Sequence, residues 1–271
     1  MELRFVKMNP TQNMTILVET PVERALQPEL ARRLMSEDSV CAEQVGYIEP
    51  ASMPGAAARL QMMGGEFCGN ASMSLAALLA LRAGLADGEA RIYQLEVSGA
   101  DALVNCSITR ADGGWLGEVD MPLPERAAIT ELGDGRRYPV VFFPGIAHVL
   151  VDEDKMNPEA AETLAPKWCS MLRTDALGVL LVDASFTRMR PLVYVRASDS
   201  AVWERGCGSG TAAIAAWRAQ RANDGRADVR IAQPGGIISA SAVFCGGGFK
   251  SIRIRGRVAP VAMGTAWVDG L

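Results

Sequence analysis

Two segments of this chain repeat one another, and each begins with a cysteine. The first reads Phe67-Cys68-Gly69-Asn70-Ala71-Ser72-Met73-Ser74 and leads into the alanine- and leucine-rich run Leu75 to Leu81. The second reads Gly206-Cys207-Gly208-Ser209-Gly210-Thr211-Ala212-Ala213 and leads into Ile214-Ala215-Ala216-Trp217. Cysteine, glycine, small polar residues and then a helix-forming apolar run place each sulfur where a helix begins. Inversion at a carbon requires two equivalent proton carriers facing it, so the duplication bears on function as well as on fold.

The surroundings of the two motifs share a grammar. In the first half the β-rich stretch Arg4 to Glu19 is broken by the turn-prone Asn9-Pro10-Thr11-Gln12-Asn13. A short helix is expected over Pro28 to Met35, with strands over Gln44 to Glu49 and Leu60 to Met63. The first cysteine helix runs from Asn70 to Ala83, and strands follow over Ala90 to Ser98, Ala102 to Thr109 and Gly117 to Met121. Pro122-Leu123-Pro124 marks a break. Beyond it, strands over Tyr138 to Phe143 and His148 to Val151 precede a helix over Pro158 to Leu172. Strands over Gly178 to Val182 and Met189 to Ala197 lead to the second cysteine helix, ending near Asn223. Strands over Val229 to Ala232, Ile237 to Phe244 and Ser251 to Ala259 close the half. A helix followed by several strands, twice, argues for two related α+β lobes rather than a solenoid, whose period would be shorter and repeated more often. The expected boundaries are 1–122 for the N-terminal lobe carrying Cys68, with a C-terminal strand 259–271 returning to it, and 123–258 for the lobe carrying Cys207.

Composition excludes several function classes. A net charge of −4 gives no electrostatic case for nucleic acid or an anionic membrane. No apolar run reaches the length of a spanning helix, and Met1-Glu2-Leu3-Arg4-Phe5 has no basic segment leading into an apolar stretch, so the chain reads as cytoplasmic. The 6 cysteines of a long chain of this kind are expected to be reduced thiols. None belongs to a C-x-x-C pair and His148 is the single histidine, so no metal site is expected. No phosphate loop or other cofactor motif is present either: Gly206-Cys207-Gly208-Ser209-Gly210 lacks the P-loop lysine.

The chemistry follows from the helix starts. Glycine after each cysteine lets the backbone approach a ligand closely, and the next residues leave N–H groups without intrahelical acceptors. Those groups and the positive end of the helix dipole are expected to stabilise a thiolate, lowering its pKa from about 8.5, and to hold a carboxylate. Two such helix starts would cradle an α-amino acid and place a sulfur on each face of its Cα, one removing the α-proton while the other supplies a new one. The alternative is packing, since free cysteine is among the most buried residues. Two matched copies, one per half, favour chemistry.

At these residues the chain resembles the diaminopimelate epimerase-fold proteins, the pyridoxal-independent amino-acid racemases and epimerases. Phe5-Val6-Lys7-Met8 with Asn13, Phe67-Cys68-Gly69-Asn70, Trp203-Glu204-Arg205-Gly206, Cys207-Gly208-Ser209-Gly210 and Pro234-Gly235-Gly236 carry the resemblance over nearly the whole length. It implies two pseudo-symmetric lobes, each a β-sheet wrapped around a central helix, with the active site in the cleft. It also implies a homodimer and a small amino-acid substrate. Departures speak to that substrate. Asparagines that hold the distal end of diaminopimelate are replaced in Gly145-Ile146-Ala147-His148 and Gly178-Val179-Leu180, and before the first cysteine stand Met62 and Met63. Each lost buried partner of a charged group costs about 1–3 kcal/mol, which disfavours a zwitterionic far end. The loop before Cys207 is contracted too.

With these changes the chain more closely resembles the histidine racemases of staphylopine-type opine-metallophore synthesis. The shared boxes are Asn13-Met14-Thr15-Ile16-Leu17-Val18, Cys41-x-Glu43-Gln44-Val45-Gly46, Glu66-Phe67-Cys68-Gly69-Asn70-Ala71, Cys207-Gly208-Ser209-Gly210-Thr211-Ala212 and Gln233-Pro234-Gly235-Gly236. The resemblance makes Cys68 and Cys207 the acid–base pair. Gly69, Asn70, Gly208 and Ser209 then bind the α-carboxylate, and Asn13, Gln44 and Glu204 contact the α-amino group or side chain. Glu43 could bond an imidazole N–H or be a solvated strand-end carboxylate. Arg205 departs from the histidine racemases as the resemblance has them; it could meet an acidic side chain or form a surface ion pair. His148 reads as a satisfied core histidine and Met62-Met63 as core. The competing readings are diaminopimelate epimerase, a racemase of another amino acid, and a phenazine-biosynthesis-type isomerase or binding protein, which lacks the cysteine pair.

Overall fold

The computed structural model describes residues 1–111 and 113–269, so the last two positions of the expected C-terminal strand lie outside the described residues. The chain divides into two compact units, Met1–Asp120 together with the chain from Arg255 onward, and Met121–Ile254.

The first unit contains β1 (Glu2–Pro10), β2 (Thr15–Val18), α1 (Gln27–Met35), β3 (Gln44–Glu49), β4 (Ala58–Met62), α2 (Gly69–Arg82), β5 (Ala90–Val97), β6 (Val104–Ala111) and β7 (Gly114–Asp120). The strands are hydrogen-bonded in sequence order, with β2 parallel to β3, β4 parallel to β5 and the other pairs antiparallel. Helix α2 packs on these strands and is buried on all sides, from Gly69 to Leu78 without interruption. Its alanines and serines let strands approach closely, while Met73, Leu75 and Leu78 fill the interior at about 1.5–3 kcal/mol each. Such a helix is hydrophobic all round because the sheet curls about it. Helix α1 is amphipathic and buries Leu30, Ala31 and Leu34 with Val45 and Tyr47.

The second unit contains β8 (Arg126–Glu131), β9 (Arg137–Phe143), β10 (Ile146–Asp152), α3 (Pro158–Leu172), β11 (Ala176–Val182), β12 (Met189–Val195), β13 (Ser200–Trp203), α4 (Gly208–Ala219), β14 (Arg226–Gln233) and β15 (Gly236–Cys245). Strands β8 to β13 form a 6-stranded sheet in which β10 and β11 are parallel. Helix α3 lays Ala161, Ala165, Trp168 and Cys169 against it. Helix α4 packs mainly on β14 and β15 and, like α2, is buried almost throughout.

A single strand, β16 (Gly248–Trp267), begins in the second unit and ends in the first, where it pairs antiparallel with β1 from Pro10↔Val258 to Glu2↔Trp267. The sequence suggested a strand ending at Ala259 and a separate return; the backbone instead continues extended through Ala259-Pro260. Edge strands β8 and β13 were not expected. Among the described residues each pairs on one side only, and β8 is largely exposed, so neither carries a strong apolar alternation. Helix α4 stops at Ala219 rather than near Asn223, with Gln220 as its cap.

Candidate active site

Both cysteines are helix N-caps. Cys68 is extended (φ −133°, ψ 109°) and its sulfur accepts the Ala71 N–H at 3.4 Å at the start of α2. Cys207 is extended (φ −103°, ψ 107°) and its sulfur accepts the Gly210 N–H at 3.3 Å at the start of α4. In each copy the residue four places on returns two hydrogen bonds to the cysteine carbonyl. Ser72 donates its N–H (3.0 Å) and Oγ–H (2.8 Å) to Cys68, and Thr211 its N–H (3.2 Å) and Oγ1–H (2.8 Å) to Cys207. The sequence repeat is therefore a repeat of local geometry. Gly69, Asn70, Gly208 and Ser209 form the two first turns, whose amides belong to the class without intrahelical acceptors and sit at the positive end of the helix dipole.

Around Cys68 the fold gathers the residues expected there. The thiol donates to Gln44 Oε1 at 2.7 Å. Gln44 opens β3, whose entry is set by the Met14 carbonyl accepting the N–H groups of Glu43 (2.8 Å) and Gln44 (3.1 Å). Asn13 is wholly buried and donates Nδ2–H to the Glu43 carboxylate at 3.0 Å, while its Oδ1 meets no partner among the described residues. The loop into Cys68 is held by the turn after β5. Ser98 Oγ donates to the Glu66 carbonyl (2.8 Å) and accepts from the Met62 N–H (2.9 Å). Gly99 (φ +72°) lies so close behind that a Cβ there would stand 2.4 Å from Phe67 N.

Around Cys207 the partners are Glu204, which hydrogen-bonds the thiol, and Ser209, whose Oγ lies 3.5 Å from the sulfur. Burial first, and then the charge and hydrogen bond of Glu204, push the Cys207 thiol well above its ordinary value, against the opposing pull of Ser209 and the Gly210 N–H. This corrects the expectation that the helix start lowers it: removing a thiolate from water outweighs one N–H and a helix end. Arg205 is exposed, and its carbonyl accepts the Gly235 N–H at 2.6 Å. A Cβ on Gly210 would lie 2.9 Å from Leu180 Cδ2 and 3.2 Å from the Cys207 sulfur, so a side chain there would require these neighbours to shift. Leu180, at a position where diaminopimelate epimerases carry asparagine, thus borders the first turn of α4. Met62, Ala147 and Leu180 are all fully buried.

Gln233 and Thr211 were not singled out from the sequence. Gln233 Oε1 accepts the Cys207 N–H at 2.7 Å and its Nε2 donates to Thr211 Oγ1 at 2.8 Å. A signal was present: Val229, Ile231 and Gln233 alternate on the buried face of β14, and a glutamine at the end of such a row needs buried partners. His148 is buried, as expected, but it is not satisfied: neither ring nitrogen has a partner among the described residues. Burial holds its pKa down to about 3. Its ring fills the space opposite it in β11, where a Cβ on Gly178 would stand 2.0 Å from Nδ1.

Among the described residues no group of three or more His, Cys, Asp and Glu is placed to hold a metal ion, and no helix is long and apolar enough to cross a membrane.

Comparison with known proteins matches residues 2–267 to the family model described as the histidine racemase CntK N-terminal domain. The histidine racemase of Staphylococcus aureus is 31% identical over 98% of this chain and 98% of that protein. The histidine racemase of Fusobacterium nucleatum is 33% identical over 86% of this chain and 87% of that protein. Among solved structures, a hydroxyproline epimerase from Agrobacterium vitis with bound trans-4-hydroxy-L-proline superimposes with a TM-score of 0.70 at 14% identity, over 97% of this chain and 90% of that one. The fold is thus a mixed α+β one, mostly sheet, of the kind racemases and epimerases use. With a family model spanning nearly all of it, the chain belongs to the histidine racemase CntK family of isomerases.

Proposed function

We propose that this chain interconverts L- and D-histidine without a cofactor, with Cys68 and Cys207 as proton carriers on opposite faces of Cα. The observation that carries this is the duplicated N-cap: two thiols, each on the first turn of a buried helix and each with its own polar partner, Gln44 for Cys68 and Glu204 for Cys207. Substrate carboxylate would accept hydrogen bonds from the first-turn amides of Gly69, Asn70, Gly208 and Ser209. The same contacts stabilise the negative charge that the carboxylate gains as the α-proton leaves. The diaminopimelate epimerase-like arrangement of two lobes about the substrate is part of this proposal.

The raised pKa of Cys207 favours its protonated form, so in one direction it is the donor, and Cys68, whose thiol donates to Gln44 Oε1, must first lose that proton to solvent to take the α-proton from the opposite face. In the reverse direction Cys207 must lose its proton, and Glu204 is the neighbour that can accept it. Each turnover moves one proton from Cα to one sulfur and one from the other sulfur to Cα.

Histidine is favoured among amino acids by the apolar Met62, Ala147 and Leu180 at positions where the resemblance to diaminopimelate epimerases would put partners of a distal zwitterion, and by Glu43, whose carboxylate can accept an imidazole N–H. Production of D-histidine for an opine-type metallophore is the pathway this activity would serve. The test is direct: purified protein with no added cofactor should form D-histidine from L-histidine and leave diaminopimelate and glutamate untouched. Activity confined to either of those two would overturn the substrate assignment.

A further inference from the structure

We infer that Gln233 is a positioning residue for Cys207, holding the main chain of the cysteine so that its sulfur stays on the first turn of α4. An N-cap residue has a backbone N–H of its own to satisfy, and in many helices a Glu or Gln at the third helical position reaches back to it. In α4 that position is Gly210, which has no side chain to reach back, and Leu180, Met189 and the sulfur itself crowd the space one would take. The Cys207 N–H is buried with the rest of the residue and would be an orphan donor. Gln233 supplies the acceptor from a different element, the end of β14.

Three hydrogen bonds close a ring: Cys207 N–H to Gln233 Oε1 (2.7 Å), Gln233 Nε2–H to Thr211 Oγ1 (2.8 Å) and Thr211 Oγ1–H to the Cys207 carbonyl (2.8 Å). Donor and acceptor of the cysteine main chain are both tied into it. A second tie, Gly235 N–H to the Arg205 carbonyl at 2.6 Å, fixes the same loop two residues earlier. The β14–β15 hairpin therefore sets where the loop carrying Cys207 lies, and Gln233 is the side chain through which it reaches the cysteine itself.

The inference rests on the two-thiol reading, and the experiment separates the two. α-Deuterium exchange and inversion are measured together in D2O, on L- and D-histidine, or on whichever amino acid the wild type inverts. Misplacing Cys207 leaves Cys68 able to remove the α-proton of its own enantiomer and return a solvent deuteron to the same face. Exchange then persists while inversion falls, whereas a loss of folded protein lowers both together. Gln233→Leu should lower kcat for inversion about tenfold with KM changed less than about twofold, and raise the exchange-to-inversion ratio for one enantiomer about fivefold or more. Gln233→Glu keeps an acceptor for the Cys207 N–H. It should recover inversion relative to Gln233→Leu, with the pH profile displaced to alkaline because a carboxylate now bonds the main-chain N–H of the cysteine. An unchanged exchange-to-inversion ratio in Gln233→Leu would overturn the assignment, as would a wild-type pH profile in Gln233→Glu, which decides the matter alone if the leucine variant does not fold. Failure of the wild type to invert histidine would count against the substrate assignment and leave this test intact.

Discussion

Cys68 and Cys207 each carry two roles in one side chain, capping a helix and presenting a sulfur, and substitutions can separate them. Serine is a good N-cap and a very poor carbon base, so Cys68→Ser and Cys207→Ser should keep the melting temperature of the wild type while racemisation falls by about a thousandfold or more. Alanine at either position loses the cap as well and should cost up to about 1 kcal/mol. Thermal melts beside a D-histidine assay check both statements, and substantial activity in either serine variant would contradict the two-thiol mechanism. Gln44 is the matching probe at the first site. Gln44→Glu puts a negative charge against the Cys68 thiol, 2.7 Å from the present acceptor atom, and should move the acid limb of the pH–rate profile upward. An unmoved limb would mean that Cys68 ionisation does not set that limb.

At the level of elements, the sulfurs are placed by loops that precede the helices as much as by the helices themselves. The Ser98-Gly99 turn is wedged behind Glu66-Phe67, and its positive φ and the 2.4 Å approach to Phe67 N leave no room for a Cβ. Gly99→Ala should therefore destabilise the first unit by about 1–3 kcal/mol and lower kcat more than the stability loss explains, because Cys68 moves with the loop. Urea melts together with kinetics at a temperature where the variant is folded measure the two effects. What the chain's pattern reveals follows the same division. The helix over Pro158–Leu172 was legible to the residue, since Asn157 caps it and its apolar stripe is clean. Both cysteine helices were legible from their start signals. Edge strands β8 and β13 were not, because a strand with one partner and an exposed face has no apolar alternation to read. Gln233 was read only as part of a Pro-Gly-Gly turn; its role depends on a helix residue far away in sequence, and local pattern carries no record of that pairing. The direction of the Cys207 shift was misjudged for a similar reason: a helix start is visible in sequence, burial of the sulfur is not.

Over the whole molecule, buried ionisable groups set how stability changes with pH. His148 is held neutral in the fold, with its pKa down to about 3, against an ordinary value of 6.5. Between those limits the unfolded chain binds a proton that the folded chain refuses, so stability falls as pH drops from 6.5 toward 3, by up to about 1.4 kcal/mol per pH unit from this group. His148→Phe removes a partnerless polar ring for an apolar one of similar size, and should flatten that part of the curve without lowering stability at pH 7. Urea midpoints from pH 4 to 8 give the comparison, and an unchanged acid slope would contradict it. At the other end, burial pushes Cys106 and Cys207 upward, so the unfolded chain loses thiol protons first and stability declines as pH rises above about 9. The expectation of two helix-and-strand halves came from the duplicated motif. The single strand β16 was not legible, because an uninterrupted strand of that length reads as two.

The isotopic content of both enantiomers early in a reaction run in D2O bears most directly on the mechanism. Starting from L-histidine, two thiols on opposite faces predict that the D-histidine formed carries a solvent deuteron at Cα while the remaining L-histidine is still protiated. D-histidine that retains the original proton would mean that one group removes and returns it, and the paired-cysteine mechanism would fail.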